Sequence, residues 1–246
     1  MRRGKACPGR SGDRGNSFCT IVSLNMRCCI WSQGIALWAE YFYPSSMYIS
    51  EQNEEGYLMS LLLLWSSPNR DGLTAAAKEA LLTGISRAGT AYEEVQLNQC
   101  AVLACRACGD GWGNCHARGE CVQHDDFSQL YLAMQKAEGI VLVTPVYWHD
   151  LSENLKCLLD RVRRCETGHN HFLRGKPCLL TACAGGSGRG AVECLQRMEE
   201  TTSHLGMTAL ERLPVTRFNR SYMLTALCGA GEAFALWLQR GKDGSA

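Results

Sequence analysis

Excess charge of either sign is nearly absent from this chain: 25 Lys and Arg stand against 24 Asp and Glu, a net +1 over 246 residues. Such a balance exerts no broad pull on nucleic acid or anionic lipid, so the sequence predicts neither partner and points to a small molecule. Long apolar runs are missing as well. The stretch 57–65 is about half of the ~20 residues needed to span a bilayer, which is the length of a buried strand. Cysteine is not scarce, at 15 residues, but a compact secreted disulfide framework is. Several cysteines sit inside apolar runs such as Pro177-Cys178-Leu179-Leu180, which favours a reducing cytoplasm.

Residues 1–56 lack any sustained period of 2 or 3.6. They carry clustered Arg and Gly and the cysteines Cys7, Cys19, Cys28 and Cys29. They read as an extension, a disordered arm or an over-extended gene start, without a signal-peptide layout. From residue 57 to about 240 the pattern changes. Apolar runs at 57–65, 92–97, 139–144, 177–182 and 207–215 alternate with segments of helical apolar spacing, such as Leu151, Leu155, Leu158, Leu159 and Val162. This predicts an α/β domain: a doubly wound, flavodoxin-like parallel sheet of five strands in the order 2-1-3-4-5, with helices on both faces. In that architecture ligands lie beyond the carboxyl ends of the strands, so the loops after strands one, three and four are the expected site.

Those loops are unusual. The first, Ser66-Ser67-Pro68-Asn69-Arg70-Asp71-Gly72-Leu73-Thr74, joins small hydroxyl residues to a Gly at a helix start. It can turn backbone amides and the Ser67 and Thr74 hydroxyls toward a phosphate, with Arg70 adding charge. It has neither the Walker nor the Gly-x-Gly-x-x-Gly spacing. The second, Pro145-Val146-Tyr147-Trp148, sets two adjacent aromatics at a strand end, surplus to a turn but suited to a planar heterocycle such as a flavin. The third, Ala184-Gly185-Gly186-Ser187-Gly188, offers bare backbone that a ligand can approach closely.

The first loop resembles the Gly-Ser-Pro-Arg-x-x-Gly-Asn-Thr phosphate loop of the flavodoxin-like NADPH-dependent FMN reductases, with Ser66, Asn69 and Leu73 in place of Gly, Arg and Asn. Pro145-Val146-Tyr147-Trp148, followed by Ser152, Leu155-Lys156 and Asp160-Arg161, is similar to that family's Ser-Pro-Val-Tyr segment and following helix. The resemblance covers about residues 59–235 and is strongest to the branch related to iron–sulfur flavoproteins. It implies bound FMN held by Ser66, Ser67, Pro68, Asn69, Gly72 and Thr74 at the phosphate, by Pro145 to Trp148 at the ring, and by Ala184, Gly185, Gly186 and Gly188 at its other edge. It also implies NAD(P)H as cosubstrate, a small-molecule or protein electron acceptor, and a homo-oligomer. The flavin carries the chemistry, so no catalytic acid or base is expected.

Between the second strand and the next helix, Cys100, Cys105, Cys108, Cys115 and Cys121 fall within 22 residues of a Gly-rich, polar segment. Cys105-x-x-Cys108 has ligand spacing, and Cys115 and Cys121 complete a set of four for a [4Fe–4S] cluster or for zinc; free redox-active thiols are the other reading. The cluster loop of iron–sulfur flavoproteins spaces its first three cysteines two residues apart, whereas here six residues separate Cys108 from Cys115. Two functions of other classes stay open: an electron carrier reduced by a protein partner, and a zinc or thiol redox sensor. Asp125 and Asp126 are expected to cap the helix from Phe127. Arg161, Arg163 and Arg164 are expected to offset a helix dipole, Lys156 and Asp160 to pair, and His169 and His171 to lie in an exposed loop.

Overall fold

The computed structural model describes residues 60–243, so the arm 1–56 and the strand start expected at 57–59 lie outside the described residues. Five strands form one parallel sheet: β1 Ser60–Trp65, β2 Ala91–Gln96, β3 Gly139–Pro145, β4 Pro177–Ala184 and β5 Thr208–Thr216, in the order β2-β1-β3-β4-β5. The expected fold is the observed one. β1 and β3 are buried on both faces, which is why their sequences are continuous apolar runs rather than alternating ones.

Alternate residues of these strands feed two cores. Leu62, Leu64, Ile140, Leu142 and Leu180 meet α3 Phe127–Lys136, α4 Glu153–Cys165 and α5 Ala191–His204 on one face. Leu61, Leu63, Val141, Val143 and Leu179 meet α1 Leu73–Arg87 and α6 Arg220–Asp243 on the other. The period of two in a strand produces this division. Helix α6 is long and apolar enough to cross a membrane by length and composition, yet it packs Leu227, Phe234, Ala235 and Leu238 into the core beside α1.

The α1–α6 crossing is unusually close. A Cβ on Gly84 would lie 1.9 Å from the Cys228 carbonyl oxygen, and one on Gly231 would lie 2.4 Å from that of Leu81. Backbone meets backbone there, and Gln239 Nε2 adds a 3.0 Å bond to the Ala88 carbonyl oxygen.

Sequence periodicity missed two irregular segments. A short helix, α2 Asn114–Arg118, interrupts the cysteine-rich loop. The stretch containing His169, expected as a loop, is a π turn, Glu166–Asn170, continuing α4; His169 and His171 are exposed as expected.

Candidate functional site

The three loops leave the same edge of the sheet, because Trp65, Val143 and Thr181 are in register. Their bases are tied together by buried hydroxyls. Ser66 Oγ donates to Thr144 Oγ1 at 3.2 Å, Ser152 Oγ donates to Ser66 Oγ at 2.7 Å, and Ser152 N donates to Thr144 Oγ1 at 3.0 Å. Ser152 also caps α4, accepting from Leu155 N. Ser66 is 0 % exposed. Its side chain fixes the end of β1 against β3 and α4 rather than reaching the mouth, a role that loop composition alone does not reveal.

Beyond Ser66 the first loop turns outward. Ser67 Oγ accepts from Asn69 N at 3.2 Å and so shapes the turn, while Pro68, Asn69 and Arg70 are exposed. Gly72 sits at the N-cap of α1. It brings no side chain to cap the helix, and the first turn holds no acidic residue. The leading amides of α1 therefore keep their partial positive charge for an anion. Thr74, in that first turn, is buried. Burial pushes the neighbouring Cys183 thiol up to about 12, with a hydrogen bond from Thr74 opposing the rise.

The second loop closes on itself. Tyr147 N donates to the Asp150 carbonyl oxygen at 2.9 Å and Asp150 N donates back at 3.0 Å, with Trp148 and His149 between them at φ 52° and 63°. Two successive positive φ values define a type I′-like turn, which normally carries Asn and Gly. A Trp and a His held there store backbone strain, of the kind that persists where surrounding structure over-determines it. Trp148 is 96 % exposed, with Tyr147 beside it. Trp148→Gly is therefore expected to raise stability slightly, by about 0.5–1 kcal/mol in a urea titration, while removing the aromatic face of the mouth.

The third loop packs against the second and against the end of β5. A Cβ on Gly190 would lie 3.0 Å from His149 Cα, and one on Gly188, at φ 74°, would lie 2.7 Å from the Phe218 ring. Gly185 and Gly186 are exposed and face open space, whereas Ala184 is buried as the last residue of β4. Uncapped helix amides, an aromatic turn and a bare glycine edge thus surround one mouth, a combination that fits a phosphorylated planar cofactor.

The cysteine loop forms a second centre on the flank of α4. Cys105, Cys108, Cys115 and Cys121 line one pocket of about 20 Å³ together with Arg161 and Arg164. That is room for roughly one water. Among the described residues no group of three or more His, Cys, Asp or Glu stands in metal-holding arrangement, so the four thiols share a pocket without converging on a point. Cys121 Sγ accepts from Arg161 Nη2 at 3.2 Å, and Cys105 Sγ accepts from Ala107 N at 3.4 Å.

Arg161 was expected to serve the α4 dipole, but it is 1 % exposed and points across to the cysteine loop. Its guanidinium makes a two-pronged pair with Asp125, at 2.6 and 2.9 Å, donates to the Leu103 carbonyl oxygen and stacks 4.2 Å over Phe127. Asp125 does accept from Phe127 N at 3.2 Å, as a helix cap would, but it is chiefly the counter-ion of Arg161. Burial raises its carboxyl, and the guanidinium with the amides of Leu103 and Phe127 outweighs that rise and holds it below the usual carboxylate value. Arg164 donates to the Gly111 carbonyl oxygen and lies 5.0 Å over Trp112. The expected Lys156–Asp160 pair is present.

Residues 59–217 match the profile of a family described as NADPH-dependent FMN reductase. An iron–sulfur flavoprotein of Archaeoglobus fulgidus is 29 % identical over 118 residues, 48 % of this chain and 51 % of that one. One from Methanocaldococcus jannaschii is 26 % identical over 170 residues, 63 % and 85 % of the two chains. The chain thus spans about half the length of the Archaeoglobus relative. Among solved structures, an FMN-dependent NADH-azoreductase of Bacillus anthracis in complex with FMN superposes with a TM-score of 0.54 at 15 % identity, covering 73 % of this chain and 99 % of that one. The enzyme RosB with a bound riboflavin-phosphate derivative superposes at 0.60 and 15 % identity, covering 76 % and 81 %. At such identity these two establish the fold alone.

Proposed function

Because the chain belongs to the NADPH-dependent FMN reductase family, we propose that it is an NAD(P)H-dependent flavin oxidoreductase that holds FMN across the three strand-end loops. The observation that carries this reading is the α1 N-terminus. It is left uncapped by Gly72, aimed from the strand end, and flanked by an aromatic turn and a bare glycine edge. Bound FMN supplies hydride acceptance from a nicotinamide and onward electron delivery. The protein positions and shields: α1 amides, Ser67 and Thr74 hold the phosphate, Tyr147 and Trp148 cover the ring plane, and Gly185 and Gly186 admit its edge. The described mouth needs no acid–base dyad, and His149, paired at 3.5 Å with Glu193 on the rim, anchors the turn to α5.

The test is direct. Purified protein is expected to carry FMN, or to take it up saturably, and to bleach its flavin absorbance anaerobically on NADPH addition. Flavin that binds but is not bleached by NADPH or NADH favours a carrier reduced by a protein partner. Ser67→Ala with Thr74→Ala is expected to weaken FMN by about 1–3 kcal/mol in a fluorescence titration, through hydrogen bonds lost to a charged group.

For the cysteine loop we propose a [4Fe–4S] cluster held by Cys105, Cys108, Cys115 and Cys121. Four thiols beside two guanidinium groups suit an anionic cluster, and both relatives above are named iron–sulfur flavoproteins. As folded here the thiols do not fit a cubane, so the cluster reading rests on the thiol and guanidinium chemistry of the pocket and on the relatives' names. Anaerobic elemental assay is expected to find about four irons per chain. One zinc and no iron makes the loop structural, and neither metal, with all four thiols open to alkylation, removes the proposal. A homo-oligomer completes the reading, testable by light scattering.

A further inference from the structure

A groove of about 340 Å³ opens on the β2 side of the first loop, and none of the functions above uses it. It lies within the ~300–1,000 Å³ range of small-molecule clefts. Its walls are Trp65 at the end of β1, Arg70 in the loop, Lys78 and Glu79 on α1, and Glu94, Gln96 and Gln99 at and beyond the end of β2. Gln96 Nε2 donates to the Ser67 carbonyl oxygen at 2.8 Å, so the groove borders the phosphate turn.

The sheet order decides what lies where. The ring-binding loops follow β3 and β4, the phosphate turn follows β1, and the groove stands over β2, in the order β2-β1-β3-β4. A flavin phosphate on the α1 amides therefore sits between the isoalloxazine on one side and the groove on the other. We propose that the groove takes the adenylate half of FAD, so that the site accommodates a flavin dinucleotide as well as FMN; this rests on the flavin reading above.

The side chains match an adenylate group by group. Arg70 stands at the junction, where the second phosphate passes. Lys78 is 6 % exposed, held by Glu94 at 2.8 Å and Glu79 at 2.6 Å, and lies 5.1 Å over the Trp65 ring. Trp65 Nε1 donates to Glu94 Oε1 at 2.9 Å, the same oxygen that receives Lys78, which leaves Oε2 to accept from a ribose hydroxyl. Gln99 Nε2 donates to Gln96 Oε1 at 2.7 Å, which leaves the Gln99 oxygen to accept from an exocyclic amine of the base. Two cations and two carboxylates balance, so the groove suits hydroxyls and one phosphate. A ribose carrying an additional 2′-phosphate would meet Glu79 and Glu94, which argues against the adenylate of NADPH as the occupant.

Isothermal titration of the full chain, freed of flavin, with FMN and with FAD tests this. FAD is expected to bind about tenfold tighter than FMN. Gln99→Trp, an exposed position whose indole would fill the groove, is expected to abolish that advantage and leave FMN affinity within about twofold. AMP is expected to weaken apparent FAD binding and to leave FMN binding unchanged. FMN binding with FAD no tighter, an FAD advantage that survives Gln99→Trp, or displacement by adenosine 2′,5′-bisphosphate stronger than by AMP would each overturn the inference. Failure of both flavins to bind would instead sink the flavin reading itself.

Discussion

Replacing Arg161 with Met is expected to lower the free energy of unfolding by about 3–5 kcal/mol, the range for breaking a buried ion pair by removing one partner. The side chains of Arg161 and Asp125 are 1 % and 4 % exposed, so the carboxylate left behind has no water to replace the guanidinium. The pH dependence should change sign as well. In the native protein Asp125 sits below its unfolded value, so its contribution is complete above about pH 4 and is lost as pH falls through the depressed folded value. Without Arg161 the buried carboxyl is raised instead, and the variant should lose stability as pH climbs through that raised value. Denaturant midpoints from about pH 2 to 8 would show both arms. A variant that keeps wild-type stability and slope would mean that the pair is not formed in solution.

Gly84→Ala is expected to cost about 3 kcal/mol or more, at or beyond the upper end of ordinary overpacking. The added methyl meets backbone, the Cys228 carbonyl oxygen at 1.9 Å and Glu232 N at 2.7 Å, and neither can rotate away. Helices α1 and α6 would have to separate. Gly229→Ala, on the same α6 but with nothing within 4 Å, is the control. It is expected to stabilise by about 0.5–1 kcal/mol, through helix propensity alone. Thermal melts of the two variants should move in opposite directions, and equal shifts would contradict the close crossing.

The fold was legible in the sequence because burial on both faces writes β1 and β3 as unbroken apolar runs, and because amphipathic helices separate them. The loops at the sheet edge were legible for a related reason, since Gly, Pro and paired aromatics at strand ends have few structural uses. What periodicity could not show is long-range pairing. Arg161 at the end of an amphipathic helix looks like any cation serving a dipole, and its partner Asp125 lies 36 positions away, where it looks like a cap. Ser66 belongs by composition to a phosphate turn, but its bonds reach Thr144 and Ser152, 78 and 86 positions on. The strained pair Trp148 and His149 carries no Asn or Gly to mark the turn. The groove over β2 is assembled from β1, the loop after it, α1, and β2 with the turn beyond it, so no single segment announces it.

The α1–α6 contact also bears on the order in which the site matures. In the proposed site helix α1 offers its leading amides to the cofactor, but it is held in place by a helix that follows far later, with Gln239 reaching Ala88 across 151 positions. Closing so long a loop is slow, and its entropy is spent before the contact returns anything. While the nascent chain emerges amino end first, β1 and the phosphate turn are exposed well before α6 exists to brace them. On the proposed flavin reading, the phosphate turn gains its brace only once α6 has docked on α1, so the site is completed late in folding.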